Sequence, residues 1–224
     1  FATEARGWLL TDRVPSFAFR EQHEVEEYMK LMEALKSDDY LREPEVFVTP
    51  EESREARAWL SGQGIEEQGV VVAVCPGATY GLAKRWFPER FIEVSHLLQK
   101  RWGIRMLVLG NEAETELVTS MAQGIGNQAM VLAGQPLRRV AAILKECRVA
   151  ISNDTGLMHL AAALKVPTVA LFGSTSPTWT RPLGDDHHVV YKAVPCSPCF
   201  QRTCIRPERD YLCLQSIGAE EVAA

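Results

Sequence analysis

The sequence predicts an α/β protein built on a doubly wound, mostly parallel, Rossmann-like sheet. From Gly69 onward, short apolar segments alternate with longer segments of helical periodicity. The short segments are apolar along their whole length, which is typical of parallel strands that helices cover on both faces. Pro88 and Gly103 bracket the first long segment, as proline and glycine do at helix ends. Repeated strand–helix units of this kind wind right-handedly into one open sheet.

Residues 1–45 differ from the rest of the chain. They are irregular apart from His23–Lys36, where apolar residues recur on one side of a predicted helix. We expect this segment to be a remnant or connector from an upstream domain. Residues 46–224 are predicted to form one Rossmann-like domain.

The elements of this domain are predicted in order. A first helix begins at Pro50, with Thr49 as its N-cap, and stops at Gly62 or Gly64. The predicted strands are VVVAVC (70–75), IRMLVLG (104–110), AMVLAG (129–134), RVAISN (148–153), PTVALFG (167–173) and the weaker HHVVYK (187–192). The predicted helices between them are PERFIEVSHLLQKRWG (88–103), EAETELVTSMAQGIG (112–126), PLRRVAAILKEC (136–147) and TGLMHLAAAL (155–164).

Composition and charge argue against several classes of function. Of the 224 residues, 46% are hydrophobic and 24% are charged, as in ordinary soluble globular proteins. A net charge of −5 provides no overall basic field for nucleic acid. No apolar run approaches the roughly 20 residues that a membrane span needs. Because the chain begins at Phe1 rather than Met, we expect a fragment or a processed product.

In a doubly wound sheet, ligands bind beyond the carboxyl ends of the strands. The first such loop is Pro76–Glu89. Gly77 and Gly81 permit a close approach of the backbone to a ligand, Thr79 offers a hydroxyl group, and Lys84 offers a positive charge to a phosphate. The alternative is an ordinary surface loop with a solvated Lys-Arg pair.

The next two loops carry weaker signals. Glu112 follows the second strand, where dinucleotide-binding folds often place a carboxylate that binds ribose. It would equally favour the positive end of a helix. Gln135 and Leu137 follow the third strand and offer a short wall for a flat ring. The same residues are also typical of a helix start with Pro136 in its first turn.

The fourth loop is the most informative. A predicted strand runs into Asp154, Thr155 and Gly156, and a helix begins at once. The first N–H groups of a helix lack intrahelical acceptors and form a ready anion site. Asp154 either caps this helix or accepts hydrogen bonds from sugar hydroxyls or from the loop. His159 lies one turn further along the same face and is predicted to reach the same cleft, although a packed or surface histidine is the alternative.

Together the four loops supply a phosphate cradle, a cation, a ring wall and an acceptor for sugar hydroxyls. This combination favours a nucleotide-sugar ligand. The motifs CPGATYGLAKRWFPERF and DTGLMHLAAALKVPTVALFGSTSP, in this order, resemble those of the ADP-heptose:lipopolysaccharide heptosyltransferases. The resemblance covers residues 69–224 densely and 1–45 loosely.

The resemblance implies a GT-B glycosyltransferase that moves heptose from ADP-heptose to the inner core of lipopolysaccharide. Its carboxyl-terminal Rossmann-like domain would bind the donor, and an amino-terminal domain would hold the lipid A-core acceptor. The resemblance also implies a cytoplasmic enzyme at the inner face of the inner membrane, with at most peripheral membrane contact.

Residue by residue, the resemblance implies that Lys84 contacts the diphosphate and the sugar of the donor, with Thr79 nearby. The segment Asp154–Leu157 would bind pyrophosphate through its N–H groups, with Asp154 turned toward the heptose. Catalysis would thus depend on Lys84 and Asp154.

The adenosine contacts follow from the same resemblance. Glu112 would meet the ribose, and the wall formed by Gln135 and Leu137 would meet the adenine. His159 matches the histidine of the family motif and is counted among the donor-binding residues.

In this family the general base is an acid in an early loop of the amino-terminal domain, and no segment of this chain resembles that loop. We therefore expect the chain to need an amino-terminal acceptor domain and to be inactive alone. The loops contain no Asp-x-Asp pair, and Lys84 with the helix start can stabilise the departing ADP instead. We expect no required cofactor and no obligatory divalent ion.

Four cysteines, Cys196, Cys199, Cys204 and Cys213, form a Cys-x2-Cys-x4-Cys-x8-Cys cluster. One Cys-x2-Cys pair is compatible with a zinc knuckle, but the other pair is spaced too widely for the usual second knuckle. Zinc and a disulfide are the alternatives, and reduced structural thiols are the expectation for a cytoplasmic protein. The isolated Cys75 and Cys147 are predicted to be buried.

Two other functions remain open at this point. Another sugar-nucleotide enzyme on the GT-B frame, such as an epimerase, would need acid–base residues within the cleft, and only His159, Asp154 and Glu112 are available. A non-catalytic nucleotide-sugar binding module would need none.

Overall fold

A computed structural model of the chain describes residues 6–15, 17, 20–37, 41–66, 68–206, 208 and 210–224. Within these residues, six parallel strands form one sheet in the order β3-β2-β1-β4-β5-β6. The strands are β1 (Val71–Cys75), β2 (Arg105–Gly110), β3 (Ala129–Ala133), β4 (Val149–Asn153), β5 (Thr168–Phe172) and β6 (His187–Tyr191). The predicted α/β, doubly wound, Rossmann-like architecture is confirmed, and the described sheet is parallel throughout.

The helices fall close to their predicted positions. The α-helices of the described residues are α1 (Glu24–Ala34), α2 (Pro50–Gly62), α3 (Pro88–Trp102), α4 (Thr115–Ile125), α5 (Leu137–Lys145), α6 (Gly156–Ala163), α7 (Pro177–Thr180), α8 (Leu212–Gln215) and α9 (Ala219–Ala223). Short 3-10 turns lie at Arg6–Leu9, Leu82–Lys84 and Glu112–Glu114. In the part of the chain that the structure describes, no helix combines the length and the apolar character needed to cross a membrane.

Alternate residues of the strands pack on opposite faces of the sheet. In β1, Val71, Ala73 and Cys75 join a core that includes residues of α2 and α5. Val72 and Val74 join the opposite core, which includes residues of α3 and α4. Because both faces are covered, the strand must be apolar at every position, which is the pattern that predicted it.

Local capping explains where α2 begins. Thr49 accepts a hydrogen bond from the N–H of Glu52, and the Glu52 carboxylate accepts one from the N–H of Thr49. Pro50 occupies the first turn, as predicted. Arg138 of α5 donates to the same carboxylate. The bonds from Arg138 and Thr49 lower the pKa of Glu52 to about 2.

The described residues of the amino-terminal segment contact the domain through polar and charged side chains, among them Glu43, which pairs with Lys165. None of the α1 residues is buried. His23, the N-cap of α1, donates from Nε2 to the carbonyl oxygen of Arg181 at 2.9 Å, since its Nδ1 accepts from Val25. Residues 1–5, 16, 18, 19 and 38–40 of this segment lie outside the described residues. The division of the chain at residue 45 stays a prediction.

The ion pair between Glu52 and Arg138 predicts a defined pH dependence of stability. Because the folded pKa of Glu52 lies below its ordinary value of 4.5, the stabilisation is present above about pH 4.5 and is lost as the pH falls toward about 2. Arg138→Met should therefore lower the urea midpoint of unfolding near neutral pH. The difference in midpoint between this variant and wild type should become smaller below about pH 4.5. The control is Arg139→Met, whose side chain donates to Gln135 rather than to a carboxylate. A pH-independent difference would contradict the prediction.

Candidate functional site

A cavity of about 240 Å³ lies at the carboxyl ends of the strands, where the strand order reverses between β1 and β4. This reversal is where doubly wound folds bind ligands. We call it the strand-end cavity. The predicted site residues that line it are Gly77, Thr79, Gln135, Leu137, Thr155, Gly156 and Leu157. The structure thus brings together all four loops chosen from the sequence.

The loop after β1 is held by one buried amide. Asn153, the last residue of β4, is fully buried. Its Nδ2 donates to the carbonyl oxygen of Pro76 at 2.7 Å, and its Oδ1 accepts from the N–H of Trp86 at 3.1 Å. Both ends of the loop that carries Thr79 and Lys84 are therefore fixed to the neighbouring strand. Sequence analysis did not select Asn153, since a polar residue at a strand end is ordinary.

Lys84 ends the 3-10 turn of this loop and points at Asp154. Its Nζ lies 2.5 Å from Asp154 Oδ2, and the two side chains are only 13% and 4% exposed. The alternative in which Asp154 caps α6 is wrong. Thr155 is the N-cap, and its hydroxyl accepts from the N–H of Leu157 at 3.3 Å. Asp154 lies outside the helix because its carboxylate is engaged by Lys84 and by two threonines.

Those threonines belong to the segment after β5. Thr175 is buried and donates to Asp154 Oδ2 at 2.7 Å. The hydroxyl of Thr180, at the end of α7, lies 3.3 Å from Oδ1 and 3.4 Å from Oδ2. Neither threonine is among the site residues predicted from the sequence. The available signal was the hydroxyl-rich run GSTSP directly after a predicted strand.

The start of α6 opens onto space. A Cβ added to Gly156 would meet no atom within 4 Å. The amides of Thr155 and Gly156 precede the first intrahelical hydrogen bonds, so they are available to an anion in the strand-end cavity. The ammonium of Lys84 contacts Asp154, which directly precedes Thr155 in the chain. The arrangement can attract a diphosphate, and Asp154 offsets part of the positive charge.

The loop after β2 differs in detail from the prediction. Glu112 is exposed, whereas Glu114 is buried and lines the cavity. Glu114 accepts from the N–H of Asn111 at 3.1 Å, and its Oε1 lies 3.5 Å from Arg85. A Cβ on Gly77 would overlap this carboxylate. Asn111-x-x-Glu114 forms a capping box, which was the sequence signal that was missed. The ribose role of Glu112 stays a prediction.

The ring wall and the histidine lie in different places. Gln135 and Leu137 line the strand-end cavity, and Leu137 is 66% exposed. His159 instead lines a second cavity of about 250 Å³, together with residues of α1 and with Trp179 and Thr180. Partial burial lowers the pKa of His159, and the charge of Asp154 opposes that shift.

The cysteines fall into two groups. Cys75 and Cys147 are buried, as predicted, and burial raises the pKa of Cys75 to about 12. The other four, like these two, are free thiols. Among the residues that the structure describes, no three His, Cys, Asp or Glu side chains are grouped as metal ligands would be. Whether Cys196, Cys199, Cys204 and Cys213 bind zinc stays a question for metal analysis of the protein.

The cysteine-rich segment packs against the loop that carries Lys84. The hydroxyl of Tyr80 donates to the carbonyl oxygen of Phe200 at 2.5 Å, and the N–H of Ala83 donates to that of Arg202 at 3.0 Å. This segment therefore holds the loop at Tyr80 and Ala83, in addition to the contacts of Asn153.

Comparison with known proteins gives concordant matches. The model of glycosyltransferase family 9 (heptosyltransferase) matches residues 1–209. Lipopolysaccharide heptosyltransferase 1 of Pseudomonas aeruginosa is 37% identical over 139 residues, which are 58% of this chain and 38% of that protein. Lipooligosaccharide heptosyltransferase 2 of Campylobacter jejuni is 31% identical over 157 residues, which are 68% of this chain and 48% of that protein. The chain spans less than half the length of these two relatives.

Solved structures show the same likeness. ADP-heptose lipopolysaccharide heptosyltransferase II of Escherichia coli is similar with a TM-score of 0.67 and 25% identity, over 80% of this chain and 51% of that one. The E. coli heptosyltransferase WaaC with ADP-2-deoxy-2-fluoro heptose is similar with a TM-score of 0.60 and 26% identity, over 99% of this chain and 60% of that one.

The buried amide of Asn153 predicts a large effect of its removal. Asn153→Ala would leave the carbonyl oxygen of Pro76 and the N–H of Trp86 without their buried partner, at about 1–3 kcal/mol each. The free energy of unfolding in urea should fall by at least about 2 kcal/mol. The exposed Asn127→Ala is the matched control and should change it by less than about 0.5 kcal/mol. Equal effects of the two substitutions would contradict this account of the loop.

Proposed function

The chain belongs to glycosyltransferase family 9, the heptosyltransferases, and on that premise we propose that it forms the donor-binding part of an enzyme that transfers heptose from ADP-heptose to the inner core of lipopolysaccharide. The proposal rests above all on one observation. Lys84 lies against Asp154, two residues before the start of α6, beside a cavity lined by the predicted donor-binding loops.

Each part of the donor has a matching element in this proposal. The pyrophosphate lies before the amides of Thr155 and Gly156, within reach of Lys84. The adenine lies against Gln135 and Leu137, and the ribose lies near the loop after β2. The heptose lies toward Asp154, whose carboxylate accepts hydrogen bonds from its hydroxyl groups. A cavity of about 240 Å³ with few charged groups suits the adenosine end of such a ligand.

Transfer breaks one bond and makes one. A hydroxyl of the acceptor sugar attacks the anomeric carbon of heptose, and its proton passes to a general base. The bond from that carbon to the β-phosphate oxygen breaks, and ADP leaves with the electron pair. Negative charge grows on the diphosphate, where Lys84 and the start of α6 stabilise it electrostatically. We propose that this stabilisation makes a divalent ion unnecessary.

The acceptor and the general base belong to the whole protein in this proposal. The lipid A-core acceptor is held by an amino-terminal domain, which also supplies the base. The matched stretches make up only 38% and 48% of these two relatives, which supports a second domain in the whole protein. The enzyme acts in the cytoplasm, at the inner face of the inner membrane.

The role of Lys84 is tested by donor binding. Lys84→Gln removes a charge-assisted contact, so the affinity for ADP-heptose measured by calorimetry should fall by about tenfold or more. The control is the exposed Lys100→Gln, which should leave the affinity unchanged. Because Lys84→Gln also leaves Asp154 buried without its cation, the double variant Lys84→Gln/Asp154→Asn restores a neutral pair and should fold better yet still bind weakly. Unchanged affinity in Lys84→Gln would remove this residue from the site.

The transfer itself is tested by complementation. ADP-heptose and a truncated lipid A-core acceptor are incubated with this chain, with and without the amino-terminal domain of a family member, and with and without EDTA. Heptosylated product should form only with the added domain, and EDTA should not reduce it. Product without an acceptor would instead indicate an epimerase-like enzyme. Donor binding without any turnover would indicate a binding module.

A further inference from the structure

The carboxylate of Asp154 has three donors, drawn from separate parts of the chain. Lys84 Nζ and Thr175 Oγ1 both contact Oδ2, at 2.5 Å and 2.7 Å. The hydroxyl of Thr180 lies 3.3 Å from Oδ1. Asp154 is 4% exposed and Thr175 is 2% exposed, so water has little access to this contact. Neither threonine has been given a role by the donor-binding scheme.

A single ammonium has to serve two anions at this site. In the structure Lys84 neutralises Asp154, whereas in the proposed donor complex the same ammonium turns toward a diphosphate. A buried carboxylate that loses its cation is strongly disfavoured unless other donors replace it. Thr175 and Thr180 are attached to the segment after β5, not to the loop of Lys84, so they stay in place when Lys84 moves.

We infer that Thr175 and Thr180 are positioning residues that keep Asp154 ionised while Lys84 turns from this carboxylate to the donor diphosphate. The inference rests on the proposed function. Without the threonines, Asp154 takes up a proton when Lys84 leaves, and the cost of this step weakens donor binding. Donor binding would then be coupled to proton uptake, whereas a merely structural role would not change the number of protons.

The other charged groups near Asp154 decide the conditions of the test. Lys84 faces it from the loop after β1, and His159 of α6 interacts with it electrostatically. His23 and Glu24, at the start of α1, act on His159 in turn. Since burial lowers the pKa of His159 below its ordinary value of 6.5, this imidazole is mostly neutral near pH 7. The terminal phosphate of ADP itself titrates at about pH 6, so the difference in proton uptake between variant and wild type near pH 7, rather than the absolute count, reports on the carboxylate.

The test is calorimetry of ADP binding in two buffers that differ in ionisation enthalpy, which yields the number of protons taken up. Thr175→Val keeps the shape of the side chain but removes the donor. We expect its affinity for ADP to fall about tenfold and its proton uptake to exceed that of wild type by up to one per ADP. Thr175→Ser keeps the hydroxyl and should restore both values.

A matched control is Thr168→Val, a buried threonine at the opposite end of β5 that donates to the carbonyl oxygen of Val166. It should bind ADP as wild type does. If Thr175→Val does not fold, Thr180→Val decides, with a weaker effect of the same sign because its contacts are longer.

The outcomes separate the two proposals. ADP binding with the same affinity and the same proton count in wild type and Thr175→Val would overturn the inference and leave the proposed function intact. A wild-type chain that does not bind ADP would overturn the proposed function, and the inference with it. Weaker binding without extra proton uptake, not restored by Thr175→Ser, would show a structural role only and would also overturn the inference.

Discussion

The ion pair between Lys84 and Asp154 is the interaction on which the site depends. It joins the loop after β1 to Asp154, which lies two residues before α6, across two strands that lie side by side. Burying two charges costs solvation, and removing either one leaves the other uncompensated. The pair therefore places a cation next to the first amides of a helix and keeps that cation neutralised until another anion competes for it. Under the proposed function, donor affinity is then a difference between two pairings of the same ammonium.

The parallel sheet determines which loops lie close enough together to contact one ligand. Because β1, β4 and β5 are neighbours with their carboxyl ends at one edge, the segments that carry Lys84, Asp154 and Thr175 converge without any long connection. Buried polar side chains then fix the detail. Asn153 ties the loop of Lys84 to β4, and Glu114 fills the space that Gly77 leaves open beside its backbone. Such groups are stable only because each has a partner.

The cysteine-rich segment packs against the loop that carries Lys84 and helps to position it. Gly81, with a φ of +151°, lets the loop of Lys84 approach the backbone of Arg202 so closely that a Cβ would overlap its carbonyl oxygen. The ring of Tyr80 contacts both Lys84 Nζ, at 4.9 Å, and the guanidinium of Arg202, at 5.4 Å from its centroid. The loop of Lys84 is thus tied to β4 through Asn153 and to the cysteine-rich segment through Tyr80 and Ala83. Its position reflects residues more than a hundred places away in the chain.

The sequence by itself determined the architecture of the sheet and helices. It also determined which residues the proposed donor-binding loops contain. Strands that are covered on both faces must be apolar throughout, so their positions are predicted by the hydrophobic pattern alone. Helix ends need particular residues, so Pro50 predicts the start of α2 and Gly103 the end of α3. Only the tertiary structure decided which atoms meet. Hydrogen bonds between distant segments leave no periodic signal, and for that reason Thr175 and Asn153 were missed. Glu114 was missed although its capping box with Asn111 is a local signal. The tertiary structure also decided that Thr155 rather than Asp154 caps α6, and that His159 lines a separate cavity. Neighbouring residues of one short motif have similar local propensities, so the sequence does not show which partner each side chain contacts.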